Sequence, residues 1–374
     1  MNESIEIQSE SASQQDHSQL YRELFLSKTP FIDVRAPVEF AQGAFPGSCN
    51  LPLMTDSERA QVGTCYKKSG QEAAVLLGHQ LVASDIKNRV SAWAEFKKAN
   101  PSAWLYCFRG GMRSRLSAQF LKDIGVDINI VPGGYKALRR FLIEQIAQAS
   151  TQKLTIIGGN TGCGKTLLIK ELRNGLDLEG RANHRGSSFG KQVSAQPRQI
   201  SYENQLAVDI INLSQQSSSL VIEDESKAIG RLYVPLPLYA GMQQASMVVV
   251  DDPLAIREQR LCDEYCTLMS EQFTQTLGAE LGWKAYQEHL EHGLYGIRKR
   301  LGAEKFKALS SVLDAALKQQ LSSGSSEGHL NWIAPILRDY YDPMYQYQLS
   351  KKADRIKFSG TFDEVKEWLT VNAK

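Results

Sequence analysis

The chain has 374 residues, of which 42% are hydrophobic, and this is enough apolar material for two ordinary domains with separate cores. Lys and Arg number 43 against 41 Asp and Glu, which gives a formal net charge of +2, so a polyanionic partner would have to be held by a local basic patch. The first twenty residues are polar, and no later stretch reaches the length of a membrane span. We therefore expect a cytoplasmic protein without a membrane partner, with a flexible segment at residues 1–15.

The six cysteines are too scattered for a disulfide framework, and a reducing compartment is compatible with a working thiolate. Cys262 and Cys266 lie one helical turn apart. Because no further Cys or His pair stands nearby to complete a tetrahedral site, we do not expect a metal there.

Short apolar segments alternate with amphipathic ones over residues 16–145, which predicts an α/β domain with a parallel sheet. Pro30–Arg35 reads as a buried strand. A later strand, Trp104–Cys107, runs into the tight loop Cys107–Ser114, after which apolar residues recur at helical spacing. Cys107 is therefore predicted at the carboxyl end of a strand, just before a helix.

The loop around Cys107 favours a thiolate over a thiol. The amides of the glycine turn, the N-terminus of the next helix and the guanidinium groups of Arg109 and Arg113 would all stabilise negative charge on the sulfur. Cysteine phosphatases also have an Arg-Ser pair separated from the nucleophile by five residues, where loop amides and the Arg hold a phosphate while the thiolate attacks. Sulfurtransferases of the rhodanese type use a similar loop, so the loop alone leaves both chemistries open.

The upstream segment separates the two chemistries, because it resembles the N-terminal signature of the rhodaneses. This resemblance implies persulfide or perselenide chemistry at Cys107, in preference to phosphatase chemistry or an inactive domain. Tyr106 also replaces the His that usually precedes a phosphatase nucleophile, and Ala44 stands where rhodaneses often have His. The matching segments are Ile32–Phe40, Gly43, Pro46–Gly47, Asn50–Leu53 and, for the closing strand and turn, Val131–Tyr135.

A second α/β domain is predicted over residues 150–374. Lys153–Ile157 reads as a short buried strand that leads into Gly159–Thr166, a G-x-x-x-x-G-K-[ST] motif followed by an apolar helix, which is the context that a P-loop requires. Backbone amides would face a phosphate, Lys165 would add a positive charge, and Thr166 would offer its hydroxyl to Mg²⁺. The predicted phosphate-binding residues in this loop are Gly159, Gly162, Gly164, Lys165 and Thr166.

Leu220–Ser226 reads as a strand that ends in carboxylates, the type of element that orients a metal or a water beside phosphates. We predict Asp224 as the carboxylate on the metal side and Glu223 as a second one. The loop His184–Gly190 is basic and rich in hydroxyls, and could close over phosphate or substrate through Arg185 and Ser187. Ordinary surface loops have the same composition.

Residues 253–342 are predicted to be largely helical, with a break at Ser322–Ser326. Arg298, Lys299 and Arg300 form a basic helical stretch, a second basic group lies at 351–357, and four tyrosines stand between them. A surface that tracks phosphates and stacks bases would have this pattern. A solvated helix face with core tyrosines would have it as well, so the pattern leaves both interpretations open.

The order of the two domains and the motifs of the second one resemble the tRNA 2-selenouridine synthase family over nearly the whole chain. The resemblance implies a transferase that converts the wobble (U34) 2-thiouridine of the tRNAs for lysine, glutamate and glutamine to 2-selenouridine. It implies geranylation of the sulfur with geranyl diphosphate, then selenation with selenophosphate, and so a selenophosphate supply system as a partner. The motifs are Asp177–Gly180, His184–Ser187, Phe189–Gly190, Glu223–Ser226 and Asp342–Tyr345.

We expect the diphosphate in the Gly159–Thr166 loop, with Mg²⁺ on Thr166 and Asp224, and no tightly bound cofactor. Cys107 would carry or receive the selenium while Arg109 and Arg113 hold the phosphate-like donor. Lys136, Arg139 and Arg140, with the stretch Arg298–Arg300, are the candidate tRNA contacts. We expect a monomer.

The P-loop and the acidic strand also permit an NTP-dependent kinase or NTPase with a rhodanese appendage. Steady nucleotide turnover without tRNA would favour that alternative.

Overall fold

The computed structural model describes residues 16–372. The expected flexibility of residues 1–15 therefore lies outside the described residues. The chain divides into two compact units. The first comprises the residues up to Pro37 together with Gly47–Phe141, and the second comprises Val38–Pro46 together with the residues from Leu142 onward.

The first unit contains a four-stranded sheet in the order β2-β1-β3-β4, and all neighbouring strands are parallel. Its strands are short and its centre is apolar, with Ile32, Leu105 and Trp93 fully buried. The strands are β1 (Phe31–Asp33), β2 (Ser48–Asn50), β3 (Trp104–Tyr106) and β4 (Asn129–Ile130), and the helices up to residue 149 are α1 (Ser18–Leu26), α2 (Pro37–Gln42), α3 (Asp56–Val82), α4 (Ile86–Ala99), α5 (Met112–Asp123) and α6 (Gly134–Ala149).

A buried ion pair fixes the carboxyl end of β1. Asp33 and Arg35 are 0% and 2% exposed, and the Arg35 Nη2 to Asp33 Oδ2 distance is 2.6 Å. The guanidinium of Arg35 also lies 3.8 Å from the ring centroid of Tyr135, at the start of α6. The pair therefore ties β1 to the segment that supports the Cys107 loop.

The second unit is built on a five-stranded parallel sheet in the order β11-β10-β5-β7-β6. β5 lies at its centre and is buried over six of its seven residues, as expected for a parallel strand covered on both faces. The strands are β5 (Lys153–Gly159), β6 (Gly175–Leu176), β7 (Ser219–Glu223), β10 (Ser246–Val250) and β11 (Ile356–Gly360), and β8 (Ala228–Ile229) pairs with β9 (Leu232–Tyr233) in a separate antiparallel hairpin.

A mostly helical region with its own apolar core follows β10, and α14 ends at Ser323 beside the predicted break, where Gly324 has a left-handed backbone (φ 74°). No helix within the described residues is long and apolar enough to cross a membrane. The remaining helices are α7 (Lys165–Glu171), α8 (Leu178–Ala182), α9 (Gln199–Leu213), α10 (Leu236–Gln244), α11 (Leu254–Leu261), α12 (Met269–Leu277), α13 (Ala279–Leu301), α14 (Ala303–Ser323), α15 (Leu330–Ile336), α16 (Asp342–Ser350) and α17 (Phe362–Asn372), with π-helical segments at Cys262–Leu268 and Leu337–Tyr341 and 3-10 turns at Glu327–His329 and Ala353–Arg355.

We predict that Asp33→Ala lowers the free energy of unfolding of the first unit by about 3–5 kcal/mol, because it removes the buried carboxylate that pairs with the charge of Arg35. Urea denaturation measures this. The double variant Asp33→Leu/Arg35→Met should lower the free energy of unfolding less than Asp33→Ala does. The control is Asp127→Ala, at an exposed position. A single variant no less stable than the control would contradict a role for this pair.

Candidate active sites

Cys107 directly follows β3, an inner strand of the first sheet, and is 3% exposed. Gly110 then adopts a left-handed backbone (φ 63°), and α5 begins at Met112. Strand, glycine turn and helix N-terminus thus follow one another as the sequence predicted. This arrangement of amides favours negative charge beside the cysteine.

The Val131–Tyr135 turn packs against the Cys107 loop and is hydrogen-bonded to it. The Tyr135 amide donates to the carbonyl of Cys107 and the Lys136 amide to that of Phe108, both at 2.9 Å. A side chain at Gly134 would collide with the Cys107 carbonyl and the Gly110 amide. The loop is therefore fixed by contacts that only glycine permits at this position.

The predicted basic residues of the first unit lie in the Cys107 loop and on helices α5 and α6. Arg113 is half-buried in the first turn of α5, and Arg109 is exposed, with its guanidinium 6.0 Å from the ring centroid of Phe108. On α6, Lys136 and Arg140 are exposed and Arg139 is half-buried.

The P-loop of the second unit connects β5 to α7. Gly162 and Gly164 have left-handed backbones, with φ of 81° and 87°. Lys165 begins α7, and its Nζ donates to the carbonyl of Gly159 at 3.0 Å and lies 5.5 Å from the ring centroid of Tyr345. Burial acts to lower the pKa of Lys165, but the neighbouring anionic groups outweigh it and raise that pKa. The lysine is thus held in its charged form.

A cavity of about 430 Å³ opens in front of this loop. It brings together the glycine loop, the basic loop at 185–187 and part of the helical region. The lining residues include Gly162, Gly164, Lys165, Thr166, Glu179, Arg185, Ser187, Glu225, Leu261, Tyr265, Leu268 and Tyr345.

Asp224, the predicted carboxylate on the metal side, does not line this cavity. Its two carboxylate oxygens accept from Lys352 Nζ at 2.7 and 2.6 Å, so it is held in an ion pair with the C-terminal part of the chain. Glu225 lines the cavity, and so does Glu179, whose Oε2 accepts from the Thr166 hydroxyl at 2.8 Å. Sequence reasoning missed both glutamates as site residues.

Glu223 lies fully buried beneath the cavity. Its Oε1 accepts from the amide of Glu179 at 2.9 Å, and its Oε2 has no hydrogen-bond partner among the described residues. Burial, with Asp177 and Glu179 nearby, raises the pKa of Glu223 to about 8. Glu223 therefore positions Glu179, and the structure does not bring it to the cavity wall.

The basic loop contributes a guanidinium to the cavity. Arg185 Nη2 pairs with Glu264 Oε1 at 2.9 Å, and the guanidinium lies 5.2 Å from the ring centroid of Tyr265. Its Nη1 is buried and has no hydrogen-bond partner in the part of the chain that the structure describes. Ser187 Oγ lies 3.2 Å from the Tyr265 hydroxyl. The predicted loop residues Arg185 and Ser187 therefore lie at the same cavity as the P-loop.

Apolar and aromatic side chains also line the cavity. Leu261, Tyr265 and Leu268 line it from α11 and the π-helical segment Cys262–Leu268. A smaller apolar recess of about 30 Å³ shares Leu261 and Tyr265 with the cavity and is closed by aromatic and aliphatic side chains, including Phe189 and Trp332. π-helical turns occur frequently at functional sites.

The stretch Arg298–Arg300 forms the last turn of α13. Lys299 and Arg300 are exposed, the Arg298 guanidinium stacks 3.5 Å from the ring centroid of Tyr295, and Arg300 donates to the Tyr340 hydroxyl at 2.8 Å. This part of the predicted basic surface is therefore accessible and has aromatic rings beside it.

Two members of the second basic group and two of the four tyrosines have structural contacts instead. Arg355 donates to three backbone carbonyls near the end of α10, and Lys352 pairs with Asp224. Tyr341 is buried, and Tyr345 lies at the P-loop cavity. The interpretation as core tyrosines thus holds for Tyr341.

A parallel-sheet domain with a loop-borne cysteine and a P-loop domain with a helical extension define a two-domain group-transfer protein. Residues 16–140 match the family model described as a rhodanese-like domain, and residues 152–374 match the model described as the tRNA 2-selenouridine synthase AAA domain.

Curated relatives match over nearly the full length. Proteins named tRNA 2-selenouridine synthase are 77% identical in Psychromonas ingrahamii (356 residues; 95% of this chain and 98% of the relative), 53% in Photobacterium profundum (353 residues; 94% and 97%) and 50% in Salmonella typhimurium (355 residues; 94% and 98%). The chain belongs to the tRNA 2-selenouridine synthase family. The resemblance, the fold class and the transferase class predicted from the sequence are therefore confirmed.

We predict that Glu223→Gln weakens the pH dependence of stability. The pKa of Glu223 is raised in the folded protein, so folding favours the protonated carboxyl over the ionised one. The resulting stabilisation is complete below the pKa of a glutamate in the unfolded chain. It is lost as the pH rises from that pKa toward about 8. Gln keeps the oxygen that accepts the Glu179 amide but cannot ionise.

Thermal unfolding at pH 5 and pH 8 measures this effect, with each kcal/mol worth about 2–4 °C for a domain of this size. Glu223→Gln should lose less of its melting temperature over this interval than the unmodified chain, by several degrees. Glu171→Gln, at an exposed glutamate, is the control. Equal pH dependence in all three proteins would show that Glu223 is not the ionising group.

Proposed function

We propose that the protein converts wobble 2-thiouridine in the tRNAs for lysine, glutamate and glutamine to 2-selenouridine in two steps. The sulfur is first geranylated with geranyl diphosphate at the P-loop cavity. Selenium from selenophosphate then replaces it with the help of Cys107. The observation that carries this proposal is a cavity whose lining combines a phosphate cradle with apolar and aromatic side chains.

This cavity suits an amphiphilic ligand. Its volume of about 430 Å³ falls in the usual range of small-molecule sites. The diphosphate would lie against the P-loop amides and Lys165, and the isoprenoid chain along Leu261, Tyr265 and Leu268, where its transfer from water is favourable.

Mg²⁺ is the metal that this cavity fits. The Thr166 hydroxyl and a Glu179 carboxylate oxygen lie side by side, and oxygen ligands are those that Mg²⁺ prefers. No cluster of three or more His, Cys, Asp or Glu side chains within residues 16–372 has a metal-binding arrangement, so phosphate and water oxygens would complete the coordination. Thr166 and Glu179 would hold the ion, Glu179 taking the place predicted for Asp224. Bound Mg²⁺ would offset the charge of the departing diphosphate.

The order of the two steps follows from leaving-group chemistry. A thiocarbonyl sulfur is a poor leaving group, whereas an S-alkylated sulfur leaves as a thiol. Geranyl transfer therefore activates C2 before selenium arrives. Arg109, Arg113 and the N-terminus of α5 would hold the phosphate group of the selenium donor beside Cys107, which carries or receives the selenium.

Two basic surfaces are proposed to contact the tRNA. One is Arg298, Lys299 and Arg300 with the Tyr295 ring, and the other is Lys136, Arg139 and Arg140 on α6. Phosphate contacts of this kind supply sequence-independent affinity, and an aromatic ring can stack on an unpaired anticodon base. A cytoplasmic location, a monomeric state and a selenophosphate supply system as partner complete the proposal.

Mass spectrometry of nucleosides tests the function directly. tRNA containing 2-thiouridine is incubated with the protein, Mg²⁺ and geranyl diphosphate, and then with selenophosphate. We expect S-geranyl-2-thiouridine first and 2-selenouridine second. Unmodified tRNA with a folded protein, together with steady hydrolysis of ATP or GTP, would favour the NTPase or kinase alternative.

Single variants separate the two steps. Lys165→Ala should reduce geranyl transfer by about 100-fold or more, because it removes a charge that stabilises the departing diphosphate, and should leave selenation of pre-geranylated tRNA intact. Cys107→Ser should leave geranyl transfer intact and reduce selenation of pre-geranylated tRNA. Geranyl transfer that is unaffected by Lys165→Ala but abolished by Cys107→Ser would overturn this division of labour.

Charge reversal at Arg298, Lys299 and Arg300 tests the tRNA surface. The triple change to Glu should weaken tRNA binding and flatten its dependence on salt, because fewer phosphate counterions are released on binding. The control is Lys67→Glu/Lys68→Glu, at two exposed positions of α3. Equal affinity and equal salt dependence in the triple variant and the control would refute this surface.

A further inference from the structure

Two arginines of α11 bind the backbone of the P-loop. Arg257 Nη1 donates to the carbonyl of Thr161 at 3.2 Å. Arg260 Nη1 donates to the carbonyl of Cys163 at 3.0 Å. The helix lies close against the loop, since a Cβ atom built on Gly162 would lie only 2.8 Å from the carbonyl oxygen of Arg257. The shape of the loop is therefore maintained by side chains from another helix as well as by its own glycines.

Each bound carbonyl fixes the direction of one amide of the loop. The carbonyl of Thr161 and the amide of Gly162 belong to one peptide unit, and the carbonyl of Cys163 and the amide of Gly164 belong to another. In a planar trans peptide the N–H bond points away from the C=O bond. The Gly162 amide thus points away from the guanidinium of Arg257. Gly162 lines the cavity and Arg257 does not.

Arg257 is itself held in place by a carboxylate. Its two terminal nitrogens donate to the two side-chain oxygens of Asp342, both at 2.8 Å, and its Nε donates to the carbonyl of Asp252 at 3.2 Å. The residue is 4% exposed. A bidentate pair between arginine and carboxylate fixes the plane of the guanidinium as well as its position. The nitrogen that binds Thr161 is therefore held at a fixed angle.

Arg260 is anchored in a similar way one turn further along α11. Its guanidinium pairs with Asp252 and lies 5.1 Å from the ring centroid of Phe362. The other carboxylate oxygen of Asp252 accepts from the Phe362 amide at 2.9 Å. Arg260 also lines the cavity, so a variant at this position would mix direct and indirect effects on a ligand. Arg257 allows the indirect effect to be measured alone.

We propose that Arg257 is a positioning residue that sets the affinity of the P-loop for the diphosphate group, with Asp342 as its anchor. The inference rests on the proposed function, in which that group lies against the amides of the loop. The guanidinium holds the Thr161 carbonyl, and so it keeps the amide of the same peptide directed at the ligand. It also polarises that peptide, which makes the amide a stronger donor.

The glycine at position 162 makes such a support necessary. Gly162 adopts a left-handed backbone (φ 81°), and a glycine passes readily between left-handed and right-handed conformations. Without Arg257 the peptide between Thr161 and Gly162 is free to turn over and present its carbonyl oxygen, which repels phosphate. The ion pair with Asp342 therefore acts on the ligand through the loop and without touching it.

Binding of inorganic pyrophosphate to the full chain in the presence of Mg²⁺, measured by isothermal titration calorimetry, tests this role. The variant Arg257→Met/Asp342→Leu removes both charges together, so it should keep a melting temperature close to that of the wild type. Its affinity for pyrophosphate should fall by about 10-fold or more, the usual effect of losing a group that orients the direct ligands of a site. A folded double variant with wild-type affinity would overturn the proposal.

The matched control is Lys366→Met/Glu171→Leu. It removes the ion pair between α17 and the end of α7, whose two side chains are about half exposed. The control should bind pyrophosphate as tightly as the wild type. An equal loss of affinity in the control would show that the effect is not specific to Arg257, and would overturn the proposal as well.

Steady-state geranyl transfer gives a second readout. The double variant Arg257→Met/Asp342→Leu should raise the KM for geranyl diphosphate and leave the KM for tRNA unchanged. Selenation of pre-geranylated tRNA should proceed at the wild-type rate. A smaller fraction of folded protein would instead lower kcat without changing either KM, so a merely structural role is distinguished from positioning.

Arg257→Lys keeps the charge and leaves Asp342 in place, but an ammonium group cannot reproduce the fork of the guanidinium. Its affinity for pyrophosphate should fall by about 3-fold or more, because lysine does not replace arginine at a bidentate site. If the double variant does not fold, Arg257→Lys decides, and wild-type affinity in this variant would overturn the proposal.

The outcomes also separate this inference from the function on which it rests. If the wild type binds no pyrophosphate, the placement of the diphosphate at the loop fails, and the role of Arg257 fails with it. If the wild type binds pyrophosphate but transfers no geranyl group, the proposed function fails, while the pyrophosphate affinities still decide the role of Arg257. If the wild type is active and both Arg257 variants bind pyrophosphate equally well, only that role fails.

Discussion

Both candidate sites depend on one backbone arrangement, in which a buried parallel strand ends in a glycine turn and continues as a helix. β3 leads through the Cys107 loop into α5, and β5 leads through the P-loop into α7. The pairing of strands within each sheet fixes the position of the turn. The N–H groups at the N-terminus of the following helix, which have no partner within the helix, then point toward the turn. A side chain at Gly134 or Gly159 would collide with a neighbouring backbone, so each loop is held in place by close contact.

The P-loop cavity joins this cradle to an unusual set of charges. Lys165 and Arg185 favour an anion, yet Glu179 and Glu225 stand in the same wall. Burial in a medium of low polarity disfavours ionised carboxylates, which is why the pKa of Glu225 is raised to about 9. Apolar and aromatic side chains such as Leu261 and Leu268 add a third type of surface to the same cavity.

The positions predicted from the local sequence agree with the structure wherever a motif lies inside one strand-turn-helix unit, as at Cys107 and Lys165. Prediction and structure differ after β7, where the sequence has three consecutive acidic residues. Because successive side chains at a strand end point to opposite sides, Glu225 faces the cavity while Asp224 points to Lys352. The presence of two acids two residues apart was a signal that could have identified Glu225. Nothing comparable in the local sequence marked Tyr345 as a neighbour of Lys165.

The sequence by itself determined the two α/β domains, the cysteine loop, the P-loop and the family, because these are encoded in short segments whose spacing fixes strand, turn and helix. Only the tertiary structure decided which acids line the P-loop cavity and which basic groups remain accessible. The reason is physical: a carboxylate or a guanidinium pairs with groups that are distant in sequence, as Asp224 does with Lys352 and Arg355 with the carbonyls near the end of α10. Such pairings depend on how distant segments pack, and no local pattern contains them.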